Sequence, residues 1–190
     1  LDLSSSLSCF FNAVIYLELM RELYVMRHAK SSWEDPNLSD FERPLNKRGI
    51  KSAKIISEFF VKKKYSFDYV LLSSSKRTKK TLNLILNKIN KPKKIKSSSK
   101  LYLVNENEII GYIKNIHKRF KKVLLINHEP ALKNLVIKLT KNKDNSNFKL
   151  LNYKFPTCAF AKIVFDTNDW INIEEKGIIS EFVRPKDLVI

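Results

Sequence analysis

Arginine and histidine side chains stand at the ends of three separate apolar runs of the chain. Arg27 and His28 follow one another in LYVMRHAKSSW, Arg77 comes shortly after DYVLLSS, and His128 ends KVLLINH. Guanidinium groups bind phosphate oxygens through two parallel hydrogen bonds. A neutral imidazole can attack phosphorus when a hydrogen bond on its other ring nitrogen fixes the tautomer. Together these four residues could form a phosphate pocket that contains its own nucleophile.

Taken singly, each of these residues also has an ordinary structural interpretation. An Arg-His pair at a strand end can simply mark where the strand reaches water, and an arginine such as Arg77 early in a helix is usually solvated. A histidine in the position of His128 often caps a helix. The functional hypothesis therefore depends on the joint placement of all four residues, each after its own strand.

The elements that must position these residues alternate between short β-branched runs and longer amphipathic segments. This alternation predicts an α/β fold with a mainly parallel sheet and helices on both faces, and the last two strands, with no helical stretch between them, are expected to pair antiparallel. Sites in such sheets form outside the carboxyl ends of strands. The predicted strands are 23–29, 68–74, 94–103, 122–128, 158–166 and 170–177, the predicted helices are 46–62, 76–89, 105–119 and 130–140, and 141–149 is predicted to be an exposed loop.

The length of 190 residues predicts one domain, which we place at 20–190. Residues 1–19 contain an apolar run that lacks a basic start and a cleavage site, and that is too short to span a membrane. Met20 opens directly onto the first predicted strand. We therefore expect 1–19 to be an extension outside the fold, upstream of the natural start at Met20.

The net charge of +17 invites a nucleic-acid interpretation, but its distribution argues against one. Only seven of the 36 basic residues are arginines, and the lysines are scattered without the interleaved aromatic residues of a single-strand binding surface. Cys9 and Cys158 have no metal-like spacing, and they fit a reducing, cytoplasmic compartment. Nucleic acid and membranes are thus not expected as partners.

Four stretches of the chain resemble the histidine phosphatase superfamily, and within it the SixA-type phosphohistidine phosphatases. They are MRHAKSSW (26–33), DFERPLNKRG (40–49), LSSSKRTKKT (72–81) and INHEPAL (126–132). The resemblance covers roughly 22–185. It implies a three-layer αβα sandwich of the phosphoglycerate mutase-like type, with no cofactor and no metal. It also implies that His28 becomes phosphorylated while Arg27, Arg77 and His128 hold the phosphoryl oxygens.

The chain departs from the family pattern at two places. Asn127-His128-Glu129 replaces the Gly-His-Asn of many relatives, and Asn tolerates the positive φ that such a turn could need. Glu129 could orient His128 or, as we favour, complement the helix N-terminus. For the carboxylic acid with which mutase-like relatives protonate an alkoxide, the chain offers only Glu106 and Glu108. Both are more typical of a helix first turn.

These observations predict a phosphatase that acts on phosphohistidine proteins, because an imidazole leaves without an acid more easily than an alkoxide. One alternative is a small-molecule phosphomonoesterase, which would need Glu106 or Glu108 as its acid. Another is a basic nucleic-acid-binding module with an idle pocket. Arg43 could contact phosphate directly or pair with Asp40 to shape the loop over the site, and these two possibilities remain open. The expected partner is a phosphorylated protein or a small phosphorylated substrate.

Overall fold

A computed structural model describes residues 20–189, and these form a six-stranded mixed sheet covered by helices on both faces. The strands are β1 (Met20–Arg27), β2 (Tyr69–Ser73), β3 (Lys94–Ser98), β4 (Lys122–Asn127), β5 (Phe160–Asp166) and β6 (Ile178–Val183). The helices are α1 (Lys47–Lys62), α2 (Lys76–Leu86), α3 (Glu106–Lys114), α4 (Ala131–Leu139) and α5 (Ser146–Tyr153). The three-layer αβα fold expected from the sequence is confirmed.

The order of the strands in the sheet is β3-β2-β4-β1-β5-β6. β1 to β4 are parallel, whereas β5 pairs antiparallel with β1 and β6 pairs antiparallel with β5. β1 and β4 are neighbours in a register that places Arg27 opposite Asn127, and β2 lies on the other side of β4. The carboxyl ends of β1, β4 and β2 therefore lie side by side at one edge of the sheet.

Alternation of side chains along the strands divides the core into two layers. Leu23 and Val25 of β1 face the side covered by α3, α4 and α5, while Tyr24 and Met26 face the side covered by α1 and α2. All four side chains are almost completely buried. Both sheet faces are thus apolar, as expected for central strands of a parallel sheet.

The start of α1 is fixed against the loop that follows β1. The Asn46 side chain caps the helix by accepting a hydrogen bond from the Gly49 N–H (2.8 Å). The Asn46 N–H in turn donates to the Lys30 carbonyl (3.0 Å). A Cβ on Gly49 would lie 2.2 Å from that same carbonyl oxygen. Only glycine permits this approach, which holds the segment after His28 in place.

The prediction of a strand over 170–177 is wrong, because the last strand begins at Ile178. The alternating letters WINIEE suggested a strand. Instead, Trp170 is buried and donates its indole N–H to the Phe120 carbonyl (2.8 Å), while the Asp169 carboxylate accepts from the Ile171 N–H (2.8 Å). These contacts form a turn that precedes β6, and the expected antiparallel pairing with β5 holds for the shifted strand.

The prediction of an exposed loop over 141–149 is also wrong in its second half, which begins α5. Asn145 caps this helix by accepting from the Asn147 N–H (2.8 Å), and Phe148 and Leu151 are buried beneath it. Polar residues around these two apolar anchors concealed the helix. The predicted strand 94–103 is shortened to five residues at the sheet edge.

Residues 1–19, predicted to be an extension, lie outside the described residues. Within 20–189, no helix has the length and apolar character needed to cross a bilayer.

Two glycine substitutions should have opposite effects on stability. Gly111 is exposed in α3, and the place that a Cβ would occupy there is open space, so Gly111→Ala should raise the free energy of unfolding by about 0.5–1 kcal/mol. Gly49→Ala should lower it, because the new methyl group collides with the Lys30 backbone. Urea unfolding followed by circular dichroism measures both, and a Gly49→Ala protein as stable as the Gly111→Ala protein would contradict the close approach.

Candidate active site

The residues at the ends of β1, β2 and β4 surround a pocket of about 270 Å³. All four residues singled out from the sequence are brought together there. The lining consists of Arg27, His28, Lys30, Ser31, Trp33, Asp40, Arg43, Arg77, Leu103, His128, Glu129 and Thr157.

His28 lines this pocket, and one of its ring nitrogens is engaged in a hydrogen bond with the backbone. Its Nδ1 lies 2.8 Å from the Ala29 carbonyl, a contact that requires Nδ1–H as donor and leaves a lone pair on Nε2. The Ala29 N–H is itself held by the Thr81 hydroxyl (3.0 Å). Burial, helped by the nearby charges of Arg77 and Arg27 and opposed by the hydrogen bond to the Ala29 carbonyl, lowers the pKa of His28 to about 4. The imidazole is therefore neutral near pH 7.

Arg77 joins the two histidines. Its Nε donates to His28 Nε2 (3.3 Å), and one of its terminal nitrogens lies 3.3 Å from His128 Nδ1. The side chain is buried, since Arg77 is only 4% exposed. The hydrogen bond to His28 agrees with a lone pair on Nε2, because a guanidinium can only donate.

His128 takes the opposite tautomer. Its Nε2 lies 3.0 Å from the Ser73 hydroxyl at the end of β2, and its Nδ1 faces the donor from Arg77. The geometry thus assigns the proton to Nε2. Burial, followed by the neighbouring His28 and Arg77, lowers the pKa of His128 to about 3. The rings of His28 and His128 are 4.9 Å apart.

Arg27 is anchored by its terminal nitrogen, which donates to the Phe155 carbonyl (2.8 Å), and its buried Nε has no hydrogen-bond partner within the described residues. Burial lowers the pKa of Arg27, and the nearby Glu129 carboxylate partly opposes this shift. The Glu129 carboxylate accepts from the Lys133 N–H (3.0 Å) in the first turn of α4. Glu129 therefore complements the helix N-terminus, the role that the sequence favours, while also lining the pocket.

Asp40 is a pocket residue that the sequence identified only as a possible partner of Arg43. Its carboxylate binds Arg77 (2.9 Å) and Arg43 (2.9 Å), and it accepts a hydrogen bond from the Tyr102 hydroxyl. Burial alone would raise the pKa of Asp40, but the hydrogen bonds from Tyr102, Arg77 and Arg43 lower it to about 2. Asp40 is thus an anion at neutral pH. The spacing Asp-x-x-Arg was visible in the sequence, but its link to Arg77 was not.

Arg43 is buried and its donors are engaged by the loop over the site. Nε donates to the Ser32 carbonyl (2.8 Å), and the terminal nitrogens bind Asp40 and the Ser31 hydroxyl (2.9 Å). The guanidinium also lies over the exposed ring of Trp33, 3.1 Å from its centroid. These contacts favour the loop-shaping role, although Arg43 lines the pocket as well.

Glu106 and Glu108 do not line the pocket. Asn105 caps α3 and donates to the Glu108 carboxylate (3.2 Å), and Asn134 of α4 contacts Glu106 (3.5 Å). Both residues belong to the first turn of α3. The expectation that one of them could serve as the acid therefore lacks support from their position.

The turn before His128 needs no positive φ at Asn127, which lies within β4. Two left-handed residues lie near the site: Leu103 (φ 54°), which lines the pocket, and Cys158 (φ 65°). The Cys158 N–H donates to the carbonyls of Arg27 (3.0 Å) and His28 (3.1 Å), so it holds the end of β1. Burial strongly raises the pKa of the Cys158 thiol, so the thiol stays protonated at neutral pH.

The neutral histidines should make the protein less stable in acid. Both have folded-state pKa values below the ordinary 6.5, so the unfolded chain binds more protons and stability falls as the pH drops below about 6.5. Between pH 7 and 5 the loss should be about 2 kcal/mol for each histidine. Urea unfolding at both pH values measures it. The variant carrying His28→Asn and His128→Gln should lose correspondingly less, and equal losses would contradict the assigned neutral states.

Comparison with known proteins supports one family. The sequence model of the histidine phosphatase superfamily (branch 1) matches residues 23–101, which include Arg27, His28 and Arg77. An uncharacterized protein of Mycobacterium tuberculosis is 28% identical over 151 residues, covering 78% of this chain and 92% of that protein.

Solved structures named as SixA phosphatases share the fold. One from Nakamurella multipartitia has a TM-score of 0.76 at 20% identity, covering 87% of this chain and 96% of that one. The protein histidine phosphatase SixA in complex with tungstate has a TM-score of 0.72 at 20% identity, covering 88% and 99%. The chain thus matches the model of the histidine phosphatase superfamily over the segment that carries Arg27, His28 and Arg77, and it shares the fold of these SixA phosphatases.

Proposed function

We propose that the protein is a phosphatase in which His28 accepts the phosphoryl group and water then releases it, with phosphohistidine proteins as the substrates. The observation that carries this proposal is the state of His28. Its Nδ1–H donates to the Ala29 carbonyl, and its Nε2 lone pair, which accepts from Arg77, faces a pocket that Arg27 and His128 also line.

In the first step, the Nε2 lone pair of His28 attacks phosphorus. The new N–P bond forms as the bond between phosphorus and the leaving nitrogen of the substrate breaks. The departing imidazole keeps that electron pair and takes a proton from solvent water, and the phosphate released in the second step returns one proton to the solvent. In the second step, the oxygen of a water molecule attacks phosphorus and the N–P bond to His28 breaks. Inorganic phosphate leaves, and His28 regains its lone pair.

Arg27, Arg77 and His128 are proposed to hold the phosphoryl oxygens during both steps. Donors that are buried and already oriented stabilise developing charge far better than mobile water does. A phosphoryl dianion beside His128 would also oppose the lowering of its pKa, so that the imidazole could become a donor through Nδ1. The SixA structure of similar fold is complexed with tungstate, which is a tetrahedral oxyanion like phosphate.

The leaving group is proposed to be an imidazole because the pocket is poor in acids. Of the two carboxyl groups that the described residues contribute to its lining, that of Asp40 is ionised at neutral pH, as its pKa of about 2 shows. An imidazole departs more readily than an alkoxide, so a weak acid suffices.

A second candidate, a phosphomonoesterase acting on small molecules, is favoured by one observation. Glu129 lines the pocket, and burial raises its pKa against the opposing effects of Arg27 and Lys133. A carboxylic acid in that position could protonate an alkoxide, which neither Glu106 nor Glu108 is placed to do.

Phosphoryl trapping should test the nucleophile. Incubation with ³²P-labelled phosphoramidate followed by a basic quench should give acid-labile label on His28, and His28→Asn should abolish the label and reduce turnover at least ~10³-fold. The control is His117→Asn, since His117 is exposed and lies outside the pocket. Undiminished turnover by a folded His28→Asn protein would overturn the mechanism.

Leaving-group dependence should separate the two candidate substrates. If Glu129 serves as an acid, Glu129→Gln should lower turnover of alkyl phosphates by about 10²-fold or more, the usual scale of general acid catalysis. Turnover of phosphohistidine should change by no more than about threefold. Wild-type protein that hydrolyses sugar phosphates faster than phosphohistidine, with the Glu129→Gln loss confined to the esters, would favour the phosphomonoesterase.

A further inference from the structure

A groove of about 370 Å³ adjoins the catalytic pocket, and we call it the basic groove. The first turns of α1, the end of α5 and the segment after β6 form its walls. Its cationic side chains are Arg48, Lys51, Lys154, Arg184 and Lys186.

The basic groove lies beside the pocket that holds His28. Thr157 lines both depressions. Arg48 directly precedes Gly49, whose backbone packs against Lys30, and Lys30 lines the pocket. A chain that places a phosphorylated side chain in the pocket therefore has the basic groove as an immediate path for its flanking residues.

The charges in the basic groove are largely uncompensated. Arg184 is bound to Asp187, with a shortest distance of 2.6 Å, and Lys186 also acts electrostatically on Asp187. Within residues 20–189, no ion pair is formed by Arg48, Lys51 or Lys154. No aspartate or glutamate of this part of the chain lines the groove. Clefts lined by one sign of charge concentrate partners of the opposite sign.

Apolar groups lie among these cations. Ile55, Tyr153 and Val189 line the groove, and Tyr153 is 88% exposed while Val189 is 55% exposed. A polypeptide can offer an apolar side chain and carboxylates together. Single-stranded nucleic acid would instead use a series of aromatic platforms, and among the described residues Tyr153 is the one aromatic side chain that lines the groove.

We propose that the basic groove binds an acidic segment of the protein substrate, next to its phosphohistidine, with an apolar side chain of that segment against Ile55 and Tyr153. This inference rests on the proposed phosphatase function and specifies its substrate as a polypeptide with carboxylates beside the modified histidine.

Binding can be measured without catalysis. The probe is a fluorescein-labelled 12-residue peptide that contains an unphosphorylated histidine, four glutamates and one leucine. Fluorescence anisotropy should show that Lys51→Glu combined with Lys154→Glu raises the Kd at least tenfold. The matched control, Lys91→Glu combined with Lys118→Glu, changes the net charge equally outside the groove and should alter the Kd less than twofold. The proposal would be overturned if both pairs of substitutions weakened peptide binding equally, or if neither pair weakened it.

A 12-nucleotide oligo-U labelled in the same way tests the other class of partner. Tighter binding of the RNA than of the peptide, weakened by the groove pair but not by the control pair, would identify a nucleic-acid surface and overturn the proposal.

Kinetics then link the basic groove to turnover. The acidic peptide carrying phosphohistidine should have a KM at least fivefold below that of the same peptide with glutamines, and the groove pair should remove this difference with kcat unchanged. Hydrolysis of phosphoramidate, which is too small to reach the groove, should be unaffected. If the wild-type protein hydrolysed none of these substrates, the phosphatase function would be refuted. Binding of the acidic peptide to the basic groove is tested separately by the anisotropy experiment. Equal KM values for the two peptides would refute its role in substrate selection.

Discussion

The buried guanidinium of Arg77 is the group on which the rest of the site depends. An unpaired charge in that position would cost several kcal/mol, so the fold must bring partners to it. Asp40 supplies the carboxylate, while the imidazoles of His28 and His128 accept from its remaining donors. Asp40 is also bound by Arg43 and by Tyr102. One buried cation therefore ties two strand ends, the loop over the site and the turn after β3 into one arrangement.

The sheet supplies the frame for this arrangement. Because β2, β4 and β1 are parallel neighbours, Ser73, His128 and His28 come to adjacent places at the same edge. The order of these residues along the chain would not by itself bring them together. An antiparallel β4 would send His128 to the opposite edge, so the parallel pairing, enforced by apolar side chains on both faces, is what allows residues so distant in the sequence to share a pocket.

The sequence predicted the strand-end residues Arg27-His28, Arg77 and His128 because of their joint placement, each after its own apolar run, although each residue alone has an ordinary structural interpretation. Prediction from the sequence failed where the local pattern of apolar and polar residues differed from the packing in the folded chain. WINIEE alternates like a strand, yet burial of Trp170 bends it into a turn, and the polar surroundings of Phe148 hid α5. The link from Asp40 to Arg77 spans 37 residues, and no local pattern encodes such a contact. From the sequence alone, Glu106 and Glu108 were candidate acids. The folded structure shows that neither side chain lines the pocket.

In the proposed mechanism, the hydrogen bonds of Arg77 imply an exchange during catalysis. Its Nε donates to the same His28 lone pair that would attack phosphorus, and another of its nitrogens donates to Asp40. A lone pair that accepts a hydrogen bond is not free to form a bond. An incoming phosphoryl group offers oxygens that carry more charge than a neutral imidazole nitrogen, so the donors of Arg77 move to those oxygens. In this proposal, the move frees Nε2 at the moment when phosphorus is within reach. The substrate would then activate His28 by replacing it as the acceptor, while Asp40 keeps the guanidinium in position.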